Sequence, residues 1–507
     1  MEYLVNAEQM KQCDMTMIQD IGIPSLVLME RAALAVVSEI VGGDFVTQSV
    51  LVVCGVGNNG GDGFAIARLL HLKSIKVEVM VVGDEQFFTE DAKKQKEILE
   101  KYHIPVVNYF HIKEEGIIDD ICEKHTCIVD ALFGIGLSRP ITDDYLEVIQ
   151  GMDFALAEVI AVDIPSGISA DSGKVMGAAV HAKKTVTFAF RKIGQLLYPG
   201  TDYCGEVIIA DIGITREGLE KARPTCYTYG DEIREYLPKR KNYSNKGTYG
   251  KGLLIVGKRD MAGAAVLAAE AAYRSGSGLI SVLSAKSNRV IIQSRLPEAI
   301  SHTYNEGDFL AKIQDSIRGM TAVGVGSGLG IDKEKFIGIA YLLQNLRVPL
   351  VLDADALNML SQNMDLLKEH QQEVIVTPHI TEMMRLTGLT KETLLDDLIS
   401  ACKSFAREYQ VICIVKDTRT IISDGNQVYI NQTGCNGMAT GGSGDVLTGI
   451  ITGLLTSGCN PFAAAVLGVY FHGKAGEMAA KELGMRGMLA GDIIRFLPSV
   501  LGEHCEK

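Results

Sequence analysis

Val50-Leu-Val-Val-Cys54-Gly55-Val-Gly57-Asn58-Asn59-Gly60-Gly61-Asp62-Gly63 is the stretch whose reading decides the fold. Five apolar residues, three of them β-branched, make a strand with no polar face. Such a strand is buried on both sides, as in a parallel sheet covered by helices. A glycine-rich turn follows at once, and Phe64 to Leu70 then reads as a helix. Strand, tight turn and helix in this order are the repeating unit of an α/β sheet, and ligands gather at such turns.

The pattern continues outward. Lys76–Val82, Thr126–Val129, Val159–Val162 and Thr185–Phe188 read as strands, and Asp91–Tyr102 as a helix. The first 45 or so residues read as helices. Residues 216–249 change character, with mixed charge, Pro224, Pro238 and Asn242-Tyr-Ser-Asn-Lys-Gly, so a domain boundary is placed there. A second series follows, with strands at Leu253–Val256, Leu279–Leu283, Ala322–Val325, Pro349–Leu352, Val374–Val376 and Ile412–Val415. The Ala-rich run Ala262–Tyr273 reads as a helix. Ile421-Ile422 and Gln427–Ile430 read as a hairpin around Asp424-Gly425, and two long helices, Val446–Thr456 and Phe462–Leu483, as the end of the chain. The predicted fold class is α/β, with two domains at residues 1–220 and 225–507.

Composition narrows the class. The 507 residues exceed one ordinary domain and predict two or three. The 53 glycines against 12 prolines, without a short period, exclude collagen and argue against a disordered tract. A net charge of -13 provides no field for nucleic acid. No run of 18 apolar residues offers a membrane span, and Met1-Glu2-Tyr3-Leu4 does not read as a signal peptide. Eleven scattered cysteines without a Cys-x-x-Cys pair give neither a zinc site nor a disulfide framework, so a cytoplasmic location is expected.

Three segments of the first half carry chemistry. In the first, Asn58 to Gly63, backbone N–H groups at a helix start suit phosphate. Asn58 and Asn59 offer carbonyl oxygens to a cation or a sugar hydroxyl, and Asp62 is either a helix N-cap or a ligand group. The second runs Val129-Asp130-Ala-Leu-Phe-Gly134-Ile-Gly136-Leu-Ser138-Arg139-Pro140, where Arg139 is suited to a pyrophosphate. The third is Ala161-Val-Asp163-Ile-Pro165-Ser166-Gly167. Asp130 and Asp163 are either helix caps or, converging with the asparagines, a cation site and an acid/base group.

In the second half the decisive loop is Gly434-Cys435-Asn436-Gly437-Met438-Ala439-Thr440-Gly441-Gly442-Ser443-Gly444-Asp445-Val446-Leu447. It enters an apolar helix, so its N–H groups suit a phosphoryl group, and Asp445 is placed as a base for phosphoryl transfer. No Gly-x-x-x-x-Gly-Lys-Ser/Thr loop is present.

The three segments of the first half resemble the NAD(P)H-hydrate epimerase domain over roughly residues 1–215, including Leu28-Met-Glu-Arg-Ala. The Met438–Gly449 form of the second loop resembles the ADP/ATP-dependent NAD(P)H-hydrate dehydratase domain of the ribokinase-like fold. That likeness covers about residues 225–507, with Gly263-Ala-Ala-Val-Leu-Ala-Ala, Gly326-Ser-Gly328-Leu-Gly330, Leu352-Asp353-Ala-Asp355-Ala-Leu and Thr377-Pro378-His379. The resemblance implies a Rossmann-like first domain and a ribokinase-like second one. It implies that Asn58, Asn59, Gly60, Gly61, Asp62 and Gly134, Ile135, Gly136, Leu137, Ser138, Arg139, Pro140 hold NADHX or NADPHX. By the same likeness Asn59, Asp130 and Ser166 bind potassium, and Asp163 is the catalytic acid/base. In the second domain it implies that Ala264, Gly328, His379 and Asp445 contact the hydrate. Lys416, Asp417, Thr418, Arg419, Thr420 and Cys435–Gly444 would hold ADP, with magnesium. A homo-oligomer is expected.

Two departures from the family pattern stand out: Ile380-Thr381 where Pro-Gly is common, and Asp417 where Gly is usual. The alternative reading is a small-molecule kinase fused to a nucleotide-binding module, and a further one a non-enzymatic sensor of NAD-like ligands.

Overall fold

The computed structural model describes residues 1–114 and 117–502. The chain divides into two compact units, Tyr3–Cys226 and Tyr227–Lys507 with Met1–Glu2.

The first unit contains the strands β1 (Glu2–Val5), β2 (Val50–Cys54), β3 (Val77–Val81), β4 (Val106–Asn108), β5 (Cys127–Ala131), β6 (Glu158–Val162), β7 (Lys184–Phe188), β8 (Arg191–Lys192) and β9 (Glu206–Ala210). Seven of them form one sheet in the order β4-β3-β2-β5-β6-β7-β9, every pair parallel. All residues of β2 and β5 are buried, as the absence of a polar face in Val50–Cys54 requires. One apolar cluster fills each face of the sheet: Val36, Val52, Phe64 and Val129 belong to one, Leu51, Val53, Ile128 and Met152 to the other. Each such side chain taken from water contributes about 1.5–3 kcal/mol. The chain runs outward from β2 to β4, returns to β5 beside β2, and runs outward the other way. The order reverses between β2 and β5, and the loops leaving those two strands face one crevice.

In the second unit β10 (Cys226–Thr228) comes first. It is followed by β11 (Lys251–Ile255), β12 (Leu279–Ala285), β13 (Ile300–Tyr304), β14 (Ala322–Val325), β15 (Leu350–Leu352), β16 (Val374–Val376), β17 (Ile412–Val415), β18 (Ile421–Ser423) and β19 (Val428–Ile430). The order β13-β12-β11-β14-β15-β16-β17 is parallel, and β17-β18-β19 is antiparallel. Here the reversal lies between β11 and β14. The Ala-rich helix Ala262–Arg274 packs closely on the helix Ser443–Thr456: a Cβ on Gly449 would lie 2.2 Å from the Ala268 carbonyl oxygen.

The fold class read from the sequence is the one observed. Several elements differ. A third closing helix, Ala490–Leu501, follows the two expected. β1 lies within the stretch read as helical. The strands β9 and β13 are partly exposed edge strands, and β13, Ile-Ser-His-Thr-Tyr, lacks the apolar run that marks a central one. The helix after β2 starts at Asn58, not Phe64. Glycine disfavours helix, yet Gly60, Gly61 and Gly63 stand in the first turns because nothing larger fits.

Candidate active sites

In the first unit a cavity of about 530 Å³ opens at the crevice between β2 and β5. Gly57, Asn58, Asn59 and Asp62 line it from the helix after β2, Gly134 to Arg139 from the loop after β5, and Asp163 from the end of β6. Gly60, Gly61 and Pro140 are not among its walls. A Cβ on Gly60 would meet the Gly55 carbonyl oxygen at 1.9 Å, and one on Gly61 the Met29 methyl at 2.6 Å. These glycines pack the helix start against the sheet, a structural reason for the missing side chain that stands beside the expected substrate contact. Asp62 is not an N-cap. Gly57 holds that position, and Asp62 stands in the second turn, buried, where burial pushes its carboxyl well above the usual range, with Asp163, Asp14 and Asp91 adding to the shift.

Asp130 is wholly buried in β5 rather than capping a helix. Its Oδ1 accepts from Ser166 Oγ at 2.5 Å and its Oδ2 from the Ser166 N–H at 2.7 Å. The Phe133 N–H donates to Ser166 Oγ at 2.8 Å. Burial pushes the Asp130 carboxyl up to about 6, against the lowering effect of the Ser166 hydrogen bonds. Asn59 lies beside Gly134, and its Nδ2 is buried without a partner. An amide turned over at that position presents its carbonyl oxygen instead. A buried carboxylate, a hydroxyl and an amide oxygen are a hard-oxygen donor set, so Asn59, Asp130 and Ser166 fit an alkali cation.

Asp163 takes up positive φ, 67°, at the strand end. Its Oδ1 accepts from the Phe188 N–H at 3.0 Å, from Thr187 Oγ1 at 3.2 Å and from the ammonium of Lys192. Gln195 Nε2 donates to its main-chain carbonyl at 2.7 Å. Asp14, on the helix Ala7–Met15, also lines the cavity, and burial pushes it up to about 7. Sequence reasoning missed Lys192, Thr187, Gln195 and Asp14. A lysine four residues past the strand Lys184–Phe188 carries no local mark of burial, and Asp14 sits in a polar stretch.

In the second unit the loops after β11 and β14 bring Ala264 and Gly328 together: a Cβ on Gly328, whose φ is 57°, would lie 3.0 Å from the Ala264 Cβ. His379 bridges to Lys416 in parallel pairing, and the Lys416 N–H donates to the Pro378 carbonyl at 2.8 Å. Lys416 Nζ lies 2.8 Å from Asp353 Oδ1, and 3.6 Å from where a Cβ on Gly444 would stand. Asp445 occupies the first turn of the helix Ser443–Thr456, and Gly442, at positive φ, holds the cap. Burial, with the nearby Asp353 charge, pushes Asp445 up to about 6, while a Ser327 hydrogen bond and Lys416 act the other way. Lys416, Gly444 and Asp445 therefore share one site with Asp353, which sequence reasoning had not chosen as a site residue. His472 was missed as well. Burial pushes this histidine down to about 4, and its Nε2 lies 3.3 Å from Ser443 Oγ at the helix start.

Other expected residues have structural partners. His379 caps the helix Ile380–Thr387, its Nδ1 accepting from the Thr381 and Glu382 N–H groups. Ile380 is then the first helical residue, the position where proline is tolerated best, so Ile and Pro fit the same backbone. Met438 packs on Gly476, where a Cβ would lie 2.3 Å from its sulfur, and Cys435 Sγ contacts the Gly476 carbonyl at 3.7 Å. The 435–438 segment is thus anchored to the helix Pro461–Leu483, while Gly444 at the loop's end lies beside Lys416. Asp417 and Thr418 are exposed, and Arg419 Nη1 donates to the Gln432 carbonyl at 2.7 Å.

A two-unit α/β enzyme with a site at each reversal of strand order is what fold and geometry define. Two family models match the chain: one described as YjeF-related protein N-terminus over residues 25–194, and one as NAD(P)H-hydrate dehydratase over residues 252–499. A relative from Moorella thermoacetica named bifunctional NAD(P)H-hydrate repair enzyme is 37% identical over 518 residues, covering 98% of this chain and 96% of its own. One of the same name from Escherichia coli is 31% identical, covering 90% and 85%. The crystal structure of ADP/ATP-dependent NAD(P)H-hydrate dehydratase from Bacillus subtilis, with ATP and magnesium, is 32% identical at a TM-score of 0.49, covering 54% of this chain and 96% of that one. The chain belongs to the bifunctional NAD(P)H-hydrate repair enzyme family.

Proposed function

We propose that the chain repairs hydrated nicotinamide cofactors in two steps, residues 1–220 epimerising NADHX and NADPHX and residues 225–507 dehydrating the S form at the expense of ADP. The observation that carries this reading is the pairing of an acid with a phosphate-type helix start in the second unit: Asp445 in the first turn after Gly441-Gly442-Ser443-Gly444, beside Lys416.

With its carboxyl at about 6, Asp445 is ionised at neutral pH and able to accept a proton. It takes the proton of the C6 hydroxyl as that oxygen attacks the terminal phosphorus of ADP. The bond from phosphorus to the ADP bridging oxygen breaks, releasing AMP. The C6–O bond then breaks with orthophosphate as leaving group, C5 loses a proton, and the C5–C6 double bond of NAD(P)H forms. Phosphate leaves far more readily than hydroxide, which is the reason for spending a nucleotide. The Thr440–Gly444 backbone and Lys416 hold the phosphates, Ala264 and Gly328 meet the hydrate, and His379 contacts it through Nε2. Magnesium would be carried on the nucleotide phosphates and would neutralise their charge.

In the first unit Asp163 shuttles the proton as the C6 hydroxyl leaves and returns, or as the ring opens. Asn58, Asn59 and Gly134–Arg139 hold the substrate. Asn59, Asp130 and Ser166 would hold potassium, which supplies the positive charge that a buried Asp130 lacks. A homo-oligomer is supported by Val27, Leu34 and Val41, spaced by seven and exposed along the helix Ser25–Gly42.

The test is to give the chain mixed NADHX epimers with ADP or ATP and follow NADH absorbance, orthophosphate and AMP. NADH with equal orthophosphate is expected. A stable phosphorylated product without NADH would establish the kinase alternative instead. Asp445→Asn removes dehydration and leaves epimerisation. Equal loss of both in a folded variant overturns the two-site reading.

A further inference from the structure

Lys192 is a charged member of the largest fully buried side chains of the protein, at 0% exposure. Burying an ammonium costs several kcal/mol that a methionine of similar volume would not. The fold spends contacts on holding it. β8 pairs parallel with β1 in the register Val5↔Lys192. The Lys192 N–H donates to Gln195 Oε1 at 2.9 Å, and Gln195 Nε2 returns to the Asp163 carbonyl. The ammonium's three protons have three acceptors: Asp163 Oδ1, Thr187 Oγ1 at 2.9 Å and the Phe188 carbonyl at 3.1 Å.

The result is asymmetric at the carboxylate. Lys192, Thr187 and the Phe188 N–H all donate to Oδ1. Among the described residues none donates to Oδ2, and Asp163 lines the 530 Å³ cavity. Asp14 and Cys13 face this ion pair from the helix Ala7–Met15, and Asp62 faces Asp163 from the helix Asn58–Leu72. Lys192 is the cation acting on this acidic group.

We infer that Lys192 is the positioning residue of the first site: it fixes the Asp163 carboxylate through Oδ1 so that Oδ2 alone exchanges the proton with the substrate. This rests on the epimerase reading of the first unit. A buried cation held by three acceptors cannot swing to the substrate without leaving them, so it acts through Asp163 and does not touch the hydrate.

The experiment uses the full chain and measures kcat and KM for interconversion of the NADHX epimers in Lys192→Met, Asp163→Asn and the double variant. Lys192→Met is expected to lower kcat by about 100-fold or more, in the range of lost acid–base catalysis, with KM within about threefold. The double variant is expected to be no slower than Asp163→Asn alone, because both changes remove one function. Retention of kcat by Lys192→Met, or losses that multiply in the double variant, overturn the proposal. If Lys192→Met does not fold, Thr187→Val cuts the hydroxyl that links the pair. A kcat loss of about tenfold at unchanged KM supports the inference, and an unchanged kcat overturns it. Full activity in Asp163→Asn would overturn the epimerase assignment of Asp163 itself, a separate failure.

Discussion

Lys416 at the end of β17 and Asp353 at the end of β15 form an ion pair in the second site, the carboxylate buried and the lysine part-buried, Nζ to Oδ1 at 2.8 Å, with Thr377 Oγ1 on the same carboxylate oxygen at 2.6 Å. Burial raises the Asp353 carboxyl, but Lys416 and Thr377 outweigh it and hold the group below its usual 3.8. A depressed carboxyl stabilises the fold above its unfolded value and loses that contribution as pH falls below 3.8. The pair is therefore intact at every working pH. Lys416→Met leaves a buried carboxylate without its cation, and a loss of about 3 kcal/mol is expected. Denaturant unfolding of the second unit measures it. The KM for ADP should rise about tenfold or more, and a KM equal to wild type would remove Lys416 from the nucleotide site.

Asp445 has the opposite sign. In the folded protein its carboxyl is pushed up to about 6, above the usual 3.8. A raised carboxyl favours the fold when protonated, so as pH climbs from 3.8 through about 6 the group comes to oppose folding. Asp445→Asn should raise the melting temperature by a few degrees at pH 7.5 and leave it unchanged at pH 4. The same ionisation sets an acid limb near pH 6 in kcat/KM for dehydration, missing from any residual activity of the asparagine variant. Scanning calorimetry at the two pH values decides the stability half.

How much of this was legible in the sequence depends on what each residue does locally. Asp163 and Asp445 announce themselves because glycines and strand ends surround them, and local backbone geometry is written in local residues. Lys192 and Asp353 owe their roles to partners 29 and 63 residues away, and no window on the sequence contains both members. The glycines of 58–63 are legible as special, and the structure adds close packing to substrate binding as a reason for them. Phosphate binding and close packing both demand a missing side chain, and only coordinates separate them. The edge strand β13 escaped because its partly wetted Ile-Ser-His-Thr-Tyr lacks the apolar run that betrays β2.

The potassium proposed at Asp130 is testable by salt exchange. Burial lifts this carboxyl to about 6, against the Ser166 hydroxyl and N–H that donate to it. Exchange of potassium for lithium is expected to lower epimerase activity at least tenfold and to leave dehydration within twofold. Asp130→Asn should abolish the difference between the two salts. Melting curves in matched potassium and lithium chloride provide a readout independent of activity: wild type should melt several degrees higher in potassium, and the asparagine variant equally in both. Identical curves for wild type would show that the Asn59, Asp130 and Ser166 oxygens hold no potassium.

Gly60 separates packing from binding in the first site. A Cβ there would lie 1.9 Å from the Gly55 carbonyl oxygen and 2.7 Å from its carbon, both backbone atoms that cannot turn aside. Gly60→Ala must push the helix Asn58–Leu72 off the sheet, which costs about 1–3 kcal/mol for an overpacked contact and carries Asn59 and Asp62 out of register with Gly134 and Asp163. Thermal unfolding of the first unit should fall, and epimerase kcat with it. Gly136→Ala is the control. Its Cβ meets nothing within 4 Å and its residue lines the cavity, so the added methyl should leave stability untouched and raise KM alone. If Gly60→Ala keeps wild-type stability and changes only KM, Gly60 contacts the substrate after all, and the helix start is the phosphate site that its sequence suggested.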